Sequence, residues 1–218
     1  MRNMCYDDNS RDFAILESIG ALGLTTIVID HRLILPGDEF ALLPGESEAF
    51  AGSVTKVKRS SGAARIVARE LLGRLGWPAV DVPKSASGAP IWPEGVVGSL
   101  AHDCRVAIAA VALSRDIAAL GVDIEPAEPL PFDLLEIVAT TSERQGIKDR
   151  PYGGRLLFAA KEAVYKAVYP LDHEFLEHHD VEIDFQAGKA AVRNGRIVEL
   201  AFCISTHLVA VAYIPASL

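Results

Sequence analysis

The chain has 218 residues, half of them hydrophobic and 23% charged, a balance that excludes a disordered tail or a fibrous repeat and fits one large domain or two small ones. Asp and Glu outnumber Lys and Arg by 29 to 21, for a net charge of −8. That argues against a nucleic-acid binder while leaving room for a small polyanion held by a local basic cluster.

The cysteines Cys5, Cys104 and Cys203 show no paired metal spacing and suit a reducing compartment. The start is charged and the longest apolar run, 106–113, is too short to span a bilayer. A cytoplasmic chain without integral membrane contact is expected. Residues 24–30 are rich in β-branched side chains and predict a strand. Residues 31–50 hold the turn pairs Pro36-Gly37 and Pro44-Gly45 and predict a loop. Over 61–75, Ala64, Val67, Ala68, Leu71, Leu72 and Leu75 recur at helical spacing, and Gly76 and Pro78 close that helix. The proline-rich stretch 78–95 predicts an irregular loop. Strands are expected at 96–101, 105–113 and 119–125, then a partly helical region to about 150. A second helix is expected over 154–169, between Pro151 and Pro170. The remainder predicts a β meander at 181–185, 189–193, 196–204 and 207–214, with turns at Ala187-Gly188 and Asn194-Gly195.

Residues 99–113 and 204–214 each set a Ser and a His before an alternating Ala/Val strand. This is either coincidence or the trace of a duplication. A duplication implies an α+β chain of two similar halves, 1–113 and 114–218, with a ligand cleft between them.

Five features carry chemistry. In Gly121-Val122-Asp123-Ile124-Glu125, strand alternation sends Val122 and Ile124 to one face and Asp123 and Glu125 to the other, the carboxylates about 7 Å apart. A hard divalent cation with phosphate oxygens would offset the cost of burying them; a solvent-facing edge strand is the alternative, and the commoner one for a lone D-x-E. On the second helix, Glu162 and Lys166 are neighbours at i, i+4, with Lys161 beside Glu162. They form a surface pair or, with the strand carboxylates, a metal and phosphate site. Ser99 and His102 close a strand, where the histidine is either a phosphate donor or structural. Between 55 and 74 stand Lys56, Lys58, Arg59, Arg65, Arg69 and Arg74 against a single acid, Glu70. This is a basic cluster or a solvated helix face. The loop Ser87-Gly88-Ala89-Pro90 lets backbone approach a ligand. His173, His178 and His179 fit no common zinc spacing and read as a polar loop.

The ordered series S-G-x-P, I-W-P-x-G, G-S-x-x-H, G-V-D-I-E-P and F-x-x-K-E-x-x-x-K, over 58–185, resembles the Sfp-type 4′-phosphopantetheinyl transferases, nearest the subgroup of the enterobactin synthetase component. The resemblance implies an α+β fold of two pseudo-twofold halves with coenzyme A between them. The N-terminal half takes the nucleotide side and the C-terminal half the metal site. The implied reaction moves phosphopantetheine from coenzyme A to a serine of an apo acyl or peptidyl carrier protein, releasing adenosine 3′,5′-bisphosphate. By the same resemblance, Asp123, Glu125 and Glu162 bind Mg²⁺, with Mn²⁺ as a substitute, and Glu162 serves as the base. Lys166 and His102 hold phosphates, Lys166 counting as catalytic. Ser87, Gly88, Pro90 and Ser99 lie along the nucleotide, and Lys58, Arg59 and Arg65 supply cations. Two departures stand out: Ala89 where the family often has a basic residue, and Ala159 where it often has serine. Carrier docking is expected on 130–150, with a monomer and no nucleic-acid partner. The competing readings are a Mg²⁺-dependent nucleotide phosphohydrolase and a non-catalytic module binding coenzyme A or carriers.

Overall fold

The computed structural model describes residues 8–78 and 80–217, so Cys5 lies outside the described residues. A helix, α1 (Asp8–Gly20), leads into strand β1 (Ile27–Leu33). A short helix, α2 (Pro44–Ser47), lies between two 3-10 turns (Asp38–Phe40 and Glu48–Phe50) and precedes the long helix α3 (Thr55–Arg74). Strands β2 (Val96–His102), β3 (Val106–Leu113) and β4 (Ile117–Pro126) follow, then helices α4 (Phe132–Val138), α5 (Thr141–Gly146) and α6 (Gly153–Asp172). A 3-10 turn at His178–Asp180 opens the meander β5 (Val181–Asp184), β6 (Lys189–Val192), β7 (Ile197–Ile204) and β8 (His207–Pro215).

The strands form two antiparallel sheets, ordered β1-β3-β2 and β4-β8-β7-β6-β5. Each sheet carries one 20-residue helix: α3 covers β3, and α6 lies across β4 and β8. The chain is therefore α+β. Both central strands are nearly pure Ala/Val, because helix and sheet bury them on both faces: β3 is buried from Val106 to Ala112 and β8 from His207 to Ala212. A shared core of Ile15, Ile19, Ile108, Val122, Ile124, Val209 and Val211 joins the two sheets, with α1 as its lid. No helix of the described residues is long and apolar enough to cross a membrane.

The strands of the meander match the sequence expectation to within a residue or so, while other elements depart from it: α2 and its flanking 3-10 turns lie where 31–50 read as loop, and β4 begins two residues early. Helix α1 was not expected from the sequence; its buried Ile15 and Ile19 alternate with the exposed Phe13 and Leu16, which blurs the apolar period. Strand β1 begins and ends three residues later than expected. Its pairing runs from Ile27↔Ala112 to Leu33↔Val106, and the polar Asp30, His31 and Arg32 inside it find charged partners in Arg74, Asp12 and Asp38. Helix α3 starts six residues early, on a polar first turn that carries no apolar stripe. The 38–40 turn packs on it at Gly62, where a Cβ would collide with the Asp38 carbonyl oxygen. Helix α6 runs through Pro170 for one more turn, since a proline near a helix end removes a single hydrogen bond. It stops at His173, in the left-handed region at φ 53°, whose N–H donates to Tyr169 O at 2.8 Å.

Candidate active site

The site is built on the seam between β4 and α6. At Gly121 the two elements touch so closely that a Cβ would strike the Ala163 carbonyl oxygen and lie 2.7 Å from Ala167 N. From that contact, alternation does the rest. Val122 and Ile124 enter the shared core, while Asp123 and Glu125 face α6. Helix α6 answers with Arg155, Glu162 and Lys166, at i, i+7 and i+11 along one stripe.

Lys166 Nζ donates to Asp123 Oδ1 at 2.6 Å and to Val122 O at 3.2 Å. The other oxygen of this 7%-exposed carboxylate, Oδ2, is buried with no hydrogen-bond partner. Arg155 donates to Glu125 Oε2 at 3.0 Å and reaches Glu128 and Pro129 O as well. Glu162 makes no hydrogen bond among the described residues. Burial pushes all three carboxyls above the usual carboxylate range. The Asp123 charge raises Glu125 and Glu162 further, and Lys166 and Arg155 only partly offset this. His102 stands at the end of β2. Burial lowers its pKa and the nearby Lys166 charge acts the same way, against the raising effect of Asp103 and Asp123. Behind it, His207 on β8 contacts Asp103 Oδ2 at 3.0 Å. The second histidine of the sequence echo thus pins the β2–β3 turn to the other sheet.

The structure brings together Asp123, Glu125, Glu162, Lys166 and His102. Among the described residues no three His, Cys, Asp or Glu side chains converge as a finished metal cage. The donor set nonetheless fits a hard cation: three carboxylates with raised pKa values, one presenting a buried, unpartnered oxygen.

A cavity of about 680 Å³ runs between the two sheets to this seam. Ser87, Gly88, Ala89 and Pro90 line it from the loop, Ser99 from β2 and Lys166 from α6, together with Tyr165 and Tyr169. Lys58, Arg59 and Arg65 do not line it. Arg65 is 4% exposed, donating to Val82 O at 2.8 Å and Ser61 O at 3.3 Å with its guanidinium 4.9 Å from the Phe50 ring. Arg59 makes a two-pronged contact at 2.8 and 2.9 Å that holds the Glu39 carboxyl at about 2. Arg69 pairs with Glu46 and Arg74 with Asp30. Four of the six cations of the basic run are thus engaged within the protein. Lys58 is half-buried, its Nζ donating to the Ala51 carbonyl at 3.3 Å. The acids that neutralise the run lie outside the window in which Glu70 stood alone.

Lys161 also departs from expectation, being turned into the core instead of toward phosphate. Arg155 was missed, although its place on the Glu162–Lys166 stripe signals it. A second cavity, again about 680 Å³, lies beside Glu162 and is lined by Ile137, Tyr165, Phe175, His178 and His179. His173 lines the first cavity instead, so the three histidines do not gather.

Comparison with known proteins gives the same answer across the chain. Residues 45–112 match the family description "4'-phosphopantetheinyl transferase N-terminal domain" and residues 119–212 match "4'-phosphopantetheinyl transferase superfamily". The chain is 40% identical over 182 residues to 4'-phosphopantetheinyl transferase Svp of Streptomyces mobaraensis, covering 80% of this chain and 71% of the relative. It is 40% identical over 155 residues to 4'-phosphopantetheinyl transferase Npt of Nocardia iowensis, covering 70% of each. Enterobactin synthase component D of Salmonella typhi is 33% identical over 123 residues, 54% of this chain and 50% of the relative.

Proposed function

Given that the chain belongs to the 4′-phosphopantetheinyl transferase superfamily and transfers phosphopantetheine from coenzyme A to carrier proteins, we propose that the β4–α6 seam performs the transfer. The observation that carries this reading is the buried, unpartnered Oδ2 of Asp123, on a carboxylate whose Oδ1 accepts from Lys166, which itself lines the inter-sheet cavity.

In this reading the halves 1–113 and 114–218 divide the work. Ser87, Gly88, Pro90 and Ser99 receive the nucleotide in the cavity that they line. Asp123, Glu125 and Glu162 would hold Mg²⁺, or Mn²⁺ in its place, and that ion supplies charge neutralisation on the pyrophosphate. Lys166 directs its ammonium at the phosphates, and His102, whose Nδ1–H is already given to Asp103 O at 3.2 Å, holds a phosphate through Nε2 as the imidazolium that the phosphate charge favours. Glu162 accepts the proton of the carrier serine, directly or through a water. The serine Oγ–P bond forms, the bridging P–O bond breaks, and adenosine 3′,5′-bisphosphate departs. With Arg59 and Arg65 engaged elsewhere and Ala89 in the loop, the 3′-phosphate relies on Lys58 and on backbone N–H groups.

Carrier docking on 130–150 is supported by the apolar side chains that the short helices display. Phe132 is 73% exposed and Ile137 59%, and Phe175 is 71% exposed; Ile137 and Phe175 line the second cavity together with Glu162. Free Cys104 and Cys203 support a reducing, cytoplasmic setting, and a net charge of −8 argues against a nucleic-acid partner.

The test is incubation with coenzyme A, Mg²⁺ and an apo peptidyl carrier domain. A carrier mass gain of about 340 Da, the size of the transferred arm, and its loss in EDTA are expected. Nucleotide cleavage without a carrier adduct would overturn the reading in favour of a phosphohydrolase.

A further inference from the structure

Lys161 precedes Glu162 on α6, yet it is 2% exposed. Its three N–H donors meet three acceptors: Val138 O at 2.9 Å, Glu143 Oε2 at 2.8 Å and His178 O at 2.8 Å. These come from the end of α4, from α5 and from the turn before β5. Glu143 is equally occupied. Its Oε2 also accepts from Thr140 N at 2.9 Å and Thr140 Oγ1 at 3.0 Å, closing a capping box. Its Oε1 accepts from Ile183 N at 2.9 Å, on edge strand β5. The pair is buried to 1% and 2% side-chain exposure, so solvent and salt hardly screen it, and every polar atom in it is satisfied.

This arrangement leaves no donor for a phosphate. What it does instead is tie both walls of the second cavity to one turn of α6. Val138 follows directly on Ile137, His178 lies just past Phe175 and Leu176, and Glu162 is the next residue on the helix. Without the ammonium, two helix-end and turn carbonyls and one buried carboxylate lose their common donor, and the apolar walls lose their fixed distance from Glu162.

We infer that Lys161 and Glu143 form a positioning pair that sets the carrier-facing surface against the reacting centre, acting on carrier use and not on coenzyme A binding. The inference rests on the reading that the carrier docks on 130–150. It assigns the first charged residue of the K-E pair to the protein acceptor, in contrast to the second.

The test uses the full chain as Lys161→Met and as Lys161→Met/Glu143→Gln. The double change removes both charges together, so the fold survives without a lone buried carboxylate. Transfer is measured with coenzyme A and an apo peptidyl carrier domain varied separately, alongside hydrogen exchange over 132–147 and 175–183. In both variants KM for the carrier is expected to rise on the order of tenfold to a hundredfold, the effect of a small misplacement. KM for coenzyme A should stay within about twofold, and exchange should quicken in both segments. A parallel rise in the coenzyme A KM, or an unchanged carrier KM, overturns the inference. If exchange quickens while carrier use is untouched, the docking reading fails and the inference with it. If carrier KM rises while exchange is unchanged, docking on this surface stands and the positioning pair does not.

Discussion

Replacing Asp123 by Asn separates what the site costs the fold from what it gives the reaction. The side chain is nearly isosteric, so the packing among β4 and α6 is kept, and the amide oxygen still accepts from Lys166. What disappears is a charge that is 7% exposed and half unpartnered. Burial outweighs the attraction of Lys166 and raises the Asp123 pKa. The folded protein therefore holds this proton more tightly than the unfolded chain does. The stability that the group contributes is complete below the ordinary carboxylate range and is lost as pH rises through the raised folded value. At neutral pH the group opposes folding, since it must either be buried with its charge or take up a proton, and Asp123→Asn should melt higher than the parent in EDTA, each kcal/mol gained appearing as about 2–4 °C. That advantage should shrink as pH falls toward about 4, because the parent then carries the proton anyway. On the proposed reading the same substitution removes a metal ligand, so transfer should fall about 10²–10³-fold, roughly 2.7–4 kcal/mol of transition-state stabilisation. The rise in melting temperature on adding Mg²⁺ should vanish with it. Scanning fluorimetry across pH with EDTA or Mg²⁺, and carrier loading by intact mass, measure each part. A variant that melts below the parent in EDTA at neutral pH, or loads carrier at a near-normal rate, would refute the reasoning.

Gly121→Ala drives a methyl into the Ala163 carbonyl, so β4 and α6 must separate; stability should fall by about 1–3 kcal/mol, and activity should fall further than stability predicts, since Asp123 moves away from Glu162 and Lys166. Urea melts with single-turnover loading compare the two. Arg65→Ala leaves Val82 O without its donor and opens a hole beside Phe50, at about 2–4 kcal/mol. Well below its melting temperature, calorimetry should find the coenzyme A dissociation constant little changed. A large loss of affinity at unchanged stability would restore Arg65 to the phosphate site.

What the sequence disclosed, and what it hid, divides along the range of the interactions. The β4 motif is legible because two carboxylates interrupt an apolar strand and period 2 places them on one face. The meander is legible because Asn194-Gly195 and the strand alternation are both local signals. The β4–α6 seam is half legible: Glu162 and Lys166 stand out at i, i+4, whereas Arg155 belongs to the same stripe two turns earlier and carries no motif. The basic run misleads for a physical reason. A charge count sees neighbours in sequence, but Arg59 is neutralised by Glu39, Arg69 by Glu46 and Arg74 by Asp30, at separations of 20, 23 and 44 residues. Lys161 misleads in the same way, because a lysine beside the Glu162 carboxylate looks electrostatic until its partners on α4, α5 and the 178 turn are in place. Helix α1 stayed hidden because packing on both sheets, not an unbroken apolar face, holds it.

Tyr165 lies on the wall of the inter-sheet cavity and also on the wall of the cavity beside Glu162. Its ring touches Tyr169 at 5.5 Å on one side and Phe175 at 5.9 Å on the other. For heredity this makes two preferences a single trait. On the proposed reading, with coenzyme A in the first cavity and the carrier at the second, a substitution that adjusts the fit of one substrate is tried at once against the other, and neither can drift alone at this position. A library built on 132–137 would vary the acceptor while leaving the donor untouched, whereas one built on Tyr165 would vary both together.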